Sequence, residues 1–243
     1  AYPLYQPEPG FFEQDPADWW QSPAAALREL TDALAKADVQ IGGVSFSGQM
    51  HGMVAFDEEN RVVRRAILWN DQRTQVECDK ITEAAGGLDG LLSQTNNMML
   101  TGYTGGKILW LRKHEPEQFR RVHVVVNPKD YLRWMLTGRI ATDVSDASGT
   151  GLFDVKSRTW AYPLIDQLGL DRGLFPPFVE STEQTGSVTP EAASRTGLPE
   201  GTPVYGGGGD AVVSVLAAGL SGPERIGVTL GTSGVVAMAL DTY

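Results

Sequence analysis

Apolar residues recur at helical spacing just after an Asp-Pro pair near the start of the chain. Asp15 followed by Pro16 is a typical helix start, because the Asp side chain caps the free N–H groups and Pro suits the first helical position. The apolar positions that follow are Trp20, Ala24, Leu27, Leu30, Leu34 and Ala37. This pattern predicts an amphipathic helix to about Lys36. Further helices are predicted at residues 74–85, 107–114, 129–137, 160–168, 191–196 and 211–220.

Short apolar runs between these helices predict strands. They lie at residues 39–46, 53–56, 62–68, 122–126, 203–205, 225–230 and 235–240. Residues 58–60 predict a turn, and the small, polar segment 141–151 predicts a loop or a helix cap. Because strands and helices alternate, the sequence indicates an α/β fold, a mixed sheet with flanking helices.

Composition and charge exclude several classes of protein. Of the 243 residues, 42% are hydrophobic and 21% are charged, which is typical of a globular protein. A net charge of −10 argues against nucleic acid as a partner. The single cysteine, Cys78, forms no intramolecular disulfide, and no apolar run is long enough to span a bilayer. We therefore expect a cytoplasmic protein with no membrane partner.

Both ends of the sequence resemble interrupted elements. The chain does not begin with Met, and its first five residues have the pattern of a strand already in progress. The last two predicted strands form a hairpin, which alone is marginally stable in water. We therefore expect the chain to be a fragment of a longer protein.

A run of four glycines at residues 206–209 separates a predicted strand from Asp210 and an apolar helix. Glycines allow a sharp turn and a close approach of ligand to backbone. At a helix start, Asp210 is favoured in its ionised form and could accept a proton from an alcohol. Two alternatives are a helix cap with a hinge, and a dinucleotide site. The second lacks the acidic residue expected after strand 225–230.

A polar loop, Gln49-Met50-His51, follows a predicted strand, at the kind of strand end where α/β proteins bind ligands. Gln49 and His51 could hydrogen-bond sugar hydroxyls, and Met50 could pack on the apolar face of a sugar. A structural role for a histidine in a turn is the alternative.

A second polar cluster contains Trp69, Asn70, Asp71 and Arg73, and it also follows a strand. It offers a stacking face with forked donors and acceptors, which suits a carbohydrate. Capping of the next helix by Asn70 or Asp71 is the alternative, and capping does not exclude ligand contact.

No metal site or phosphate loop is predicted from the motifs. His51, His114 and His123 are scattered, without ligand spacing on one element. Lys107 follows two glycines, but Ile108 stands where a phosphate loop needs Ser or Thr for magnesium.

Residues 102–114 match the first signature of a known kinase family at every position. Thr104, Lys107, Ile108 and Trp110 occupy its defining places. On this basis the chain resembles the FGGY family of carbohydrate kinases. Four further segments are similar to the branch of that family that acts on D-xylulose, namely residues 47–52, 69–73, 128–132 and 142–148.

The resemblance implies an actin-like, ribonuclease-H-like ATPase fold, with a sugar-binding domain at 1–222 and the start of a nucleotide-binding domain at 223–243. It implies ATP-dependent phosphorylation of D-xylulose at its 5-hydroxyl, with Mg²⁺ as cofactor and Asp210 as base. Met50 and His51 match the sugar-contacting pair, and Gly231 with Thr232 matches the phosphate-contacting turn. A ketose and ATP are the expected partners, and a homodimer is compatible with the family.

Two departures from the family pattern limit this expectation. The Asp-x-Gly-Thr hairpin that binds phosphate and magnesium is absent from this sequence, as is most of the second domain. Because phosphoryl transfer depends on electrostatic stabilisation, we expect the chain alone to transfer little phosphate. The alternatives are another FGGY sugar or polyol kinase and a non-catalytic sugar-binding module.

Overall fold

Helices and short strands alternate along the computed structural model, which describes residues 2–230 and 234–241. The helices are α1 Pro16–Lys36, α2 Gln75–Ala84, α3 Leu88–Thr95, α4 Thr104–His114, α5 Pro116–Phe119, α6 Pro128–Thr137, α7 Val144–Ser148, α8 Tyr162–Gln167, α9 Pro190–Thr196 and α10 Asp210–Ala217. The strands are β1 Glu13–Gln14, β2 Ser47–Gly48, β3 Val54–Phe56, β4 Ala66–Ile67, β5 Val124–Val126, β6 Thr142–Asp143, β7 Phe153–Asp154, β8 Thr159–Trp160, β9 Phe178–Val179, β10 Gln184–Ser187, β11 Pro203–Tyr205, β12 Gly208–Gly209, β13 Ile226–Leu230 and β14 Gly234–Met238. The predicted α/β class is confirmed.

The predicted helix starts and stops are largely confirmed. The Asp15 side chain accepts a hydrogen bond from the Ala17 N–H at 2.9 Å, which caps α1. Helix α6 ends at Gly138, whose φ of 67° is readily adopted only by glycine. Pro116, predicted to stop a helix, also begins the short α5.

The strand predicted at residues 39–46 is wrong over most of its length. Only Val44 forms a bridge, parallel to Val204, and the regular strand β2 comes later, at Ser47–Gly48. The segment has the apolar composition of a buried strand, yet Val39 is exposed. Pairing, which composition does not specify, decides where the ladder forms.

Other differences arise where elements are very short. The run 62–68 contributes only β4, which pairs antiparallel with β1, and β1 and α3 were not predicted. Segment 141–151, predicted as a loop or cap, forms β6 and α7 with Asp143 as the cap. Trp160 belongs to β8 rather than to the following helix.

Strands β3 and β5 pair antiparallel and separate two hydrophobic cores. Val54 and Phe56 of β3 face the core formed with α1, α6 and α9. Met53 and Val125 belong to the opposite core, which contains much of α2, α4 and α8. This alternation of side chains follows from the two-residue repeat of a strand.

The C-terminal hairpin of β13 and β14 is confirmed, with Ile226 opposite Met238. Its apolar side chains are largely exposed, and none of the residues of α10 is buried. The connecting turn, which contains Gly231 and Thr232, lies outside the described residues. No helix in the described ranges is long and apolar enough to cross a membrane.

Candidate active site

Two parallel strand ends bring the glycine run and the Gln49–His51 loop together. Gly208 of β12 lies opposite Ser47 of β2, and Gly209 lies opposite Gly48. Because both strands run in the same direction, the residues that follow them emerge at the same edge. The Gln49–His51 loop and Asp210 are therefore neighbours, although 159 positions separate His51 from Asp210 in the sequence.

Asp210 is exposed and is the first residue of α10. Its Oδ1 accepts a hydrogen bond from the Ala211 N–H at 2.8 Å. The free N–H groups at the start of a helix favour a negative charge there. The predicted position at the helix start is confirmed, with Gly209 as the N-cap.

The glycines before Asp210 make room for atoms of the protein itself. A Cβ on Gly209 would lie 2.4 Å from Met50 Cγ and 2.5 Å from Met50 Sδ. Gly207 has φ of +74°, and a Cβ there would lie 2.4 Å from the Phe46 carbonyl oxygen. Two of the four glycines are thus required by internal packing rather than by a ligand.

His51 is held by its backbone, its ring face and one ring nitrogen. Its φ of 67° is in the left-handed region, which is unusual for a residue with a Cβ. The ring stacks on Tyr103 at 4.5 Å between centroids. Nδ1 lies 2.7 Å from the Gly149 carbonyl oxygen, which can only accept, so Nδ1 carries the hydrogen. In the neutral ring, Nε2 is then a hydrogen-bond acceptor.

Burial lowers the pKa of His51 below its ordinary value of 6.5. The hydrogen bond to Gly149 opposes this shift, nearby Lys107 adds to it, and the Asp210 carboxylate opposes it. The imidazole is therefore neutral at pH 7, in the tautomer that the Gly149 carbonyl selects.

Lys107 of the predicted signature supports the backbone of His51. Its fully buried ammonium donates to the His51 carbonyl oxygen at 2.6 Å and to the Gly102 carbonyl oxygen at 2.5 Å. Thr104 Oγ1 donates to the same His51 oxygen at 3.1 Å. Burial lowers the pKa of Lys107 to about 7, against the attraction of the Asp71 carboxylate. Lys107 and Thr104 of the signature helix α4 thus hold the backbone of the Gln49–His51 loop from inside the protein. Both side chains are buried, so they do not belong to the exposed surface of the loop.

Residues of the second polar cluster divide into two groups. Trp69 is 55% exposed, whereas Asn70 is partly buried and its Oδ1 is buried without a hydrogen-bond partner among the described residues. Asp71 is fully buried, and Arg73 donates to its Oδ1 at 2.9 Å and to its Oδ2 at 2.8 Å. Arg73 also pairs with Glu13 at 2.9 Å. The forked groups of Asp71 and Arg73 are therefore engaged inside the protein, where Asp71 also accepts from the Phe12 N–H.

A buried charged cluster beneath the glycine run was missed by the sequence prediction of the site. The side chains of its five members are fully buried: Lys129, Asp130, Arg133, Asp143 and Asp146. Burial raises the pKa of Asp146 to about 7, despite the attraction of Lys129. The sequence signal for this cluster was the set of charged residues in segments 128–132 and 142–148. Both segments match the family pattern, but the pattern alone indicated no role for these residues.

The site thus consists of an exposed acid at a helix start beside a polar loop at the end of a parallel strand. The sequence model for the N-terminal domain of the FGGY family of carbohydrate kinases matches residues 1–217. The chain belongs to this family.

Several proteins that are similar to this chain are xylulose kinases. The chain is 43% identical to a xylulose kinase of Bacillus subtilis over 235 residues, covering 97% of this chain and 47% of that protein. It is 40% identical to a xylulose kinase of Escherichia coli, covering 95% and 46%. The crystal structure of xylulose kinase from Rhodospirillum rubrum superposes with a TM-score of 0.90 at 32% identity, covering 97% and 48%. The chain spans about half the length of these relatives.

Proposed function

We propose that the protein containing this chain phosphorylates D-xylulose at its 5-hydroxyl with ATP. The observation that carries this proposal is the pairing of β2 with β12, which sets Met50 and His51 beside Asp210. The similarity to xylulose kinases supports the choice of substrate. Another FGGY sugar or polyol kinase is the second candidate.

In the proposed reaction Asp210 is the general base. Its carboxylate takes the proton of the 5-hydroxyl as that oxygen forms a bond to the γ-phosphorus of ATP, and the bond from phosphorus to ADP breaks. Gly231 and Thr232 stay predictions for contact with the phosphates.

Sugar recognition is proposed for the loop and the exposed part of the second cluster. Nε2 of neutral His51 can accept a hydrogen bond from a sugar hydroxyl, and Met50 supplies an apolar surface. Gln49, Trp69 and Asn70 are proposed as further contacts, since amides bond hydroxyls and an indole stacks on a sugar ring or chain. Asp71 and Arg73 were predicted as sugar contacts as well; because they bond each other and Glu13, they are proposed to hold the segment that carries Trp69 and Asn70.

Magnesium is proposed as a cofactor of the whole protein only. Among residues 2–230 and 234–241, no group of three or more His, Cys, Asp or Glu is placed to hold a metal ion.

A domain boundary near residue 222, a cytoplasmic location and a homodimer are also proposed. The end of the family match at residue 217 and the separate β13–β14 hairpin support the boundary. The single cysteine is compatible with the cytoplasm.

The experiment that tests the function measures ATP-dependent turnover of the full-length protein on a panel of ketoses and polyols. D-xylulose is expected to have the highest kcat/KM, because analogues that lack a recognised hydroxyl leave buried polar groups unpaired. A higher kcat/KM on another sugar would favour the second candidate. Binding of a sugar without turnover would indicate a binding module.

Sugar affinity is expected to depend on pH through His51. Because the pKa of His51 is lowered, Nε2 is an acceptor wherever the pH lies well above that lowered pKa, and His51 itself is expected to add no pH dependence there. Affinity is expected to fall once the pH drops below the lowered pKa, since protonation converts Nε2 into a donor. Calorimetric titration of D-xylulose between pH 5 and 8 measures this.

The matched control for the pH dependence is His51→Gln, whose amide does not titrate in this range. This variant is expected to lose the acid limb of the profile while keeping a weaker, pH-independent affinity. An acid limb of the same size in His51→Gln would show that another group is responsible.

A further inference from the structure

The glycine run is hydrogen-bonded at both of its ends by side chains of α6 and α7. Lys129 Nζ donates to the Gly206 carbonyl oxygen at 3.2 Å. The Gly209 N–H donates to Ser145 Oγ at 2.9 Å. The N–H groups of Gly206, Gly207 and Gly208 donate to backbone carbonyl oxygens, so Ser145 supplies the acceptor for the remaining N–H group of the run.

These two bonds are joined through a buried carboxylate. The Ser145 hydroxyl donates to Asp143 Oδ2 at 2.6 Å, and Asp143 Oδ1 lies 3.0 Å from Lys129 Nζ. The chain of contacts therefore leads from Gly209 through Ser145, Asp143 and Lys129 back to Gly206. Hydrogen bonds in such a buried network are stronger than in water and restrain one another.

The surrounding charges keep Lys129 in its ammonium form. Burial alone would lower the pKa of Lys129, but Asp130, Asp146 and Asp143 raise it above its ordinary value. Nζ lies 2.7 Å from Asp130 Oδ1 and 3.3 Å from Asp146 Oδ2. Arg133 approaches Asp130 from the same helix at 3.4 Å. The donor to Gly206 is thus charged, which makes it a strong one.

We propose that Lys129, Asp143 and Ser145 are positioning residues that set the location of the Asp210 carboxylate through the glycine run. This inference rests on the proposed role of Asp210 as base. Asp210 directly follows Gly209, and none of the residues of α10 is buried, so apolar packing within the described ranges does little to hold it. A displacement of about 1 Å in a reacting group lowers a rate by about 10²-fold.

The test uses Ser145→Ala in the full-length protein, because this change removes the link to Gly209 and leaves the salt bridges intact. We expect kcat to fall about 10- to 100-fold, while the Kd for D-xylulose changes less than about twofold. Thr196→Val is the matched control. Thr196 Oγ1 donates to the Ala192 carbonyl oxygen at 2.8 Å within α9, away from the glycine run. The control is expected to lower the thermal midpoint to a similar extent and to leave kcat unchanged.

An unchanged kcat in Ser145→Ala, with an active wild type, overturns the positioning role alone. A fall in kcat/KM that comes wholly from a rise in Kd also overturns it, because the effect is then on the sugar rather than on the base. If Ser145→Ala does not fold, Ser145→Cys decides, since its sulfur is a weak acceptor of similar shape. A folded Cys variant with reduced kcat supports the proposal, and wild-type kcat refutes it. Absence of turnover in the wild type refutes the proposed function itself.

Discussion

Replacing Asp210 by Asn in the full-length protein is expected to lower kcat by about 10²- to 10⁴-fold, the usual contribution of a general base. The amide keeps the size of the carboxylate but accepts no proton. Because Met50 and His51 are untouched, the Kd for D-xylulose is expected to stay within about threefold of wild type. Steady-state kinetics and calorimetric titration on the same preparation measure the two quantities.

Asp89→Asn is the matched control for this variant. Asp89 is also an exposed acid in the first turn of a helix, α3, where it has the same relation to the helix dipole. Its replacement is expected to leave kcat unchanged. A loss of kcat below about fivefold in Asp210→Asn would exclude Asp210 as the base, and an equal loss in both variants would point to a general effect of charge.

Replacing Lys129 by Met is expected to destabilise the full-length protein by about 3–5 kcal/mol, because it leaves buried carboxylates without their cation. The three acids that contact Lys129 have fully buried side chains, so water does not compensate them. The pKa values of unpaired buried carboxyls are raised in the folded state, and protonation relieves the cost. The defect is therefore expected to shrink as the pH falls from 8 to 5. Urea denaturation at several pH values measures this.

Lys113→Met provides the comparison for Lys129→Met. Lys113 is half exposed and lies 3.5 Å from Glu77, so its removal is expected to cost about 1 kcal/mol or less. Two results would contradict this prediction: a similar loss of stability in both variants, or a loss in Lys129→Met that does not depend on pH. Either one would show that Lys129 does not compensate the charge of the buried carboxylates.

The sequence predicted which polar residues lie together where those residues come directly after a strand. Asp210 and the Gln49–His51 loop each follow a strand, and the strand-end rule for α/β folds places such residues together. That rule worked although the strand before the loop was placed at residues 39–46 instead of Ser47–Gly48. The position of the strand end mattered more than its length.

Residues that depend on distant partners could not be predicted in the same way. Asp71 and Arg73 have the side chains of a sugar site, but their partners include Glu13, about sixty positions earlier. Lys129 and Asp143 have the composition of a solvated surface, and only the fold buries them. Burial of a charged side chain is a property of tertiary packing, which local patterns do not contain.

The contact between Met50 and Gly209 makes the two halves of the site mechanically dependent. Met50 occupies the volume that any side chain on residue 209 would need, and Gly209 directly precedes Asp210. A substitution that enlarges residue 50 is therefore expected to press on the start of α10 as well as on the loop, because the two are packed against each other without a gap.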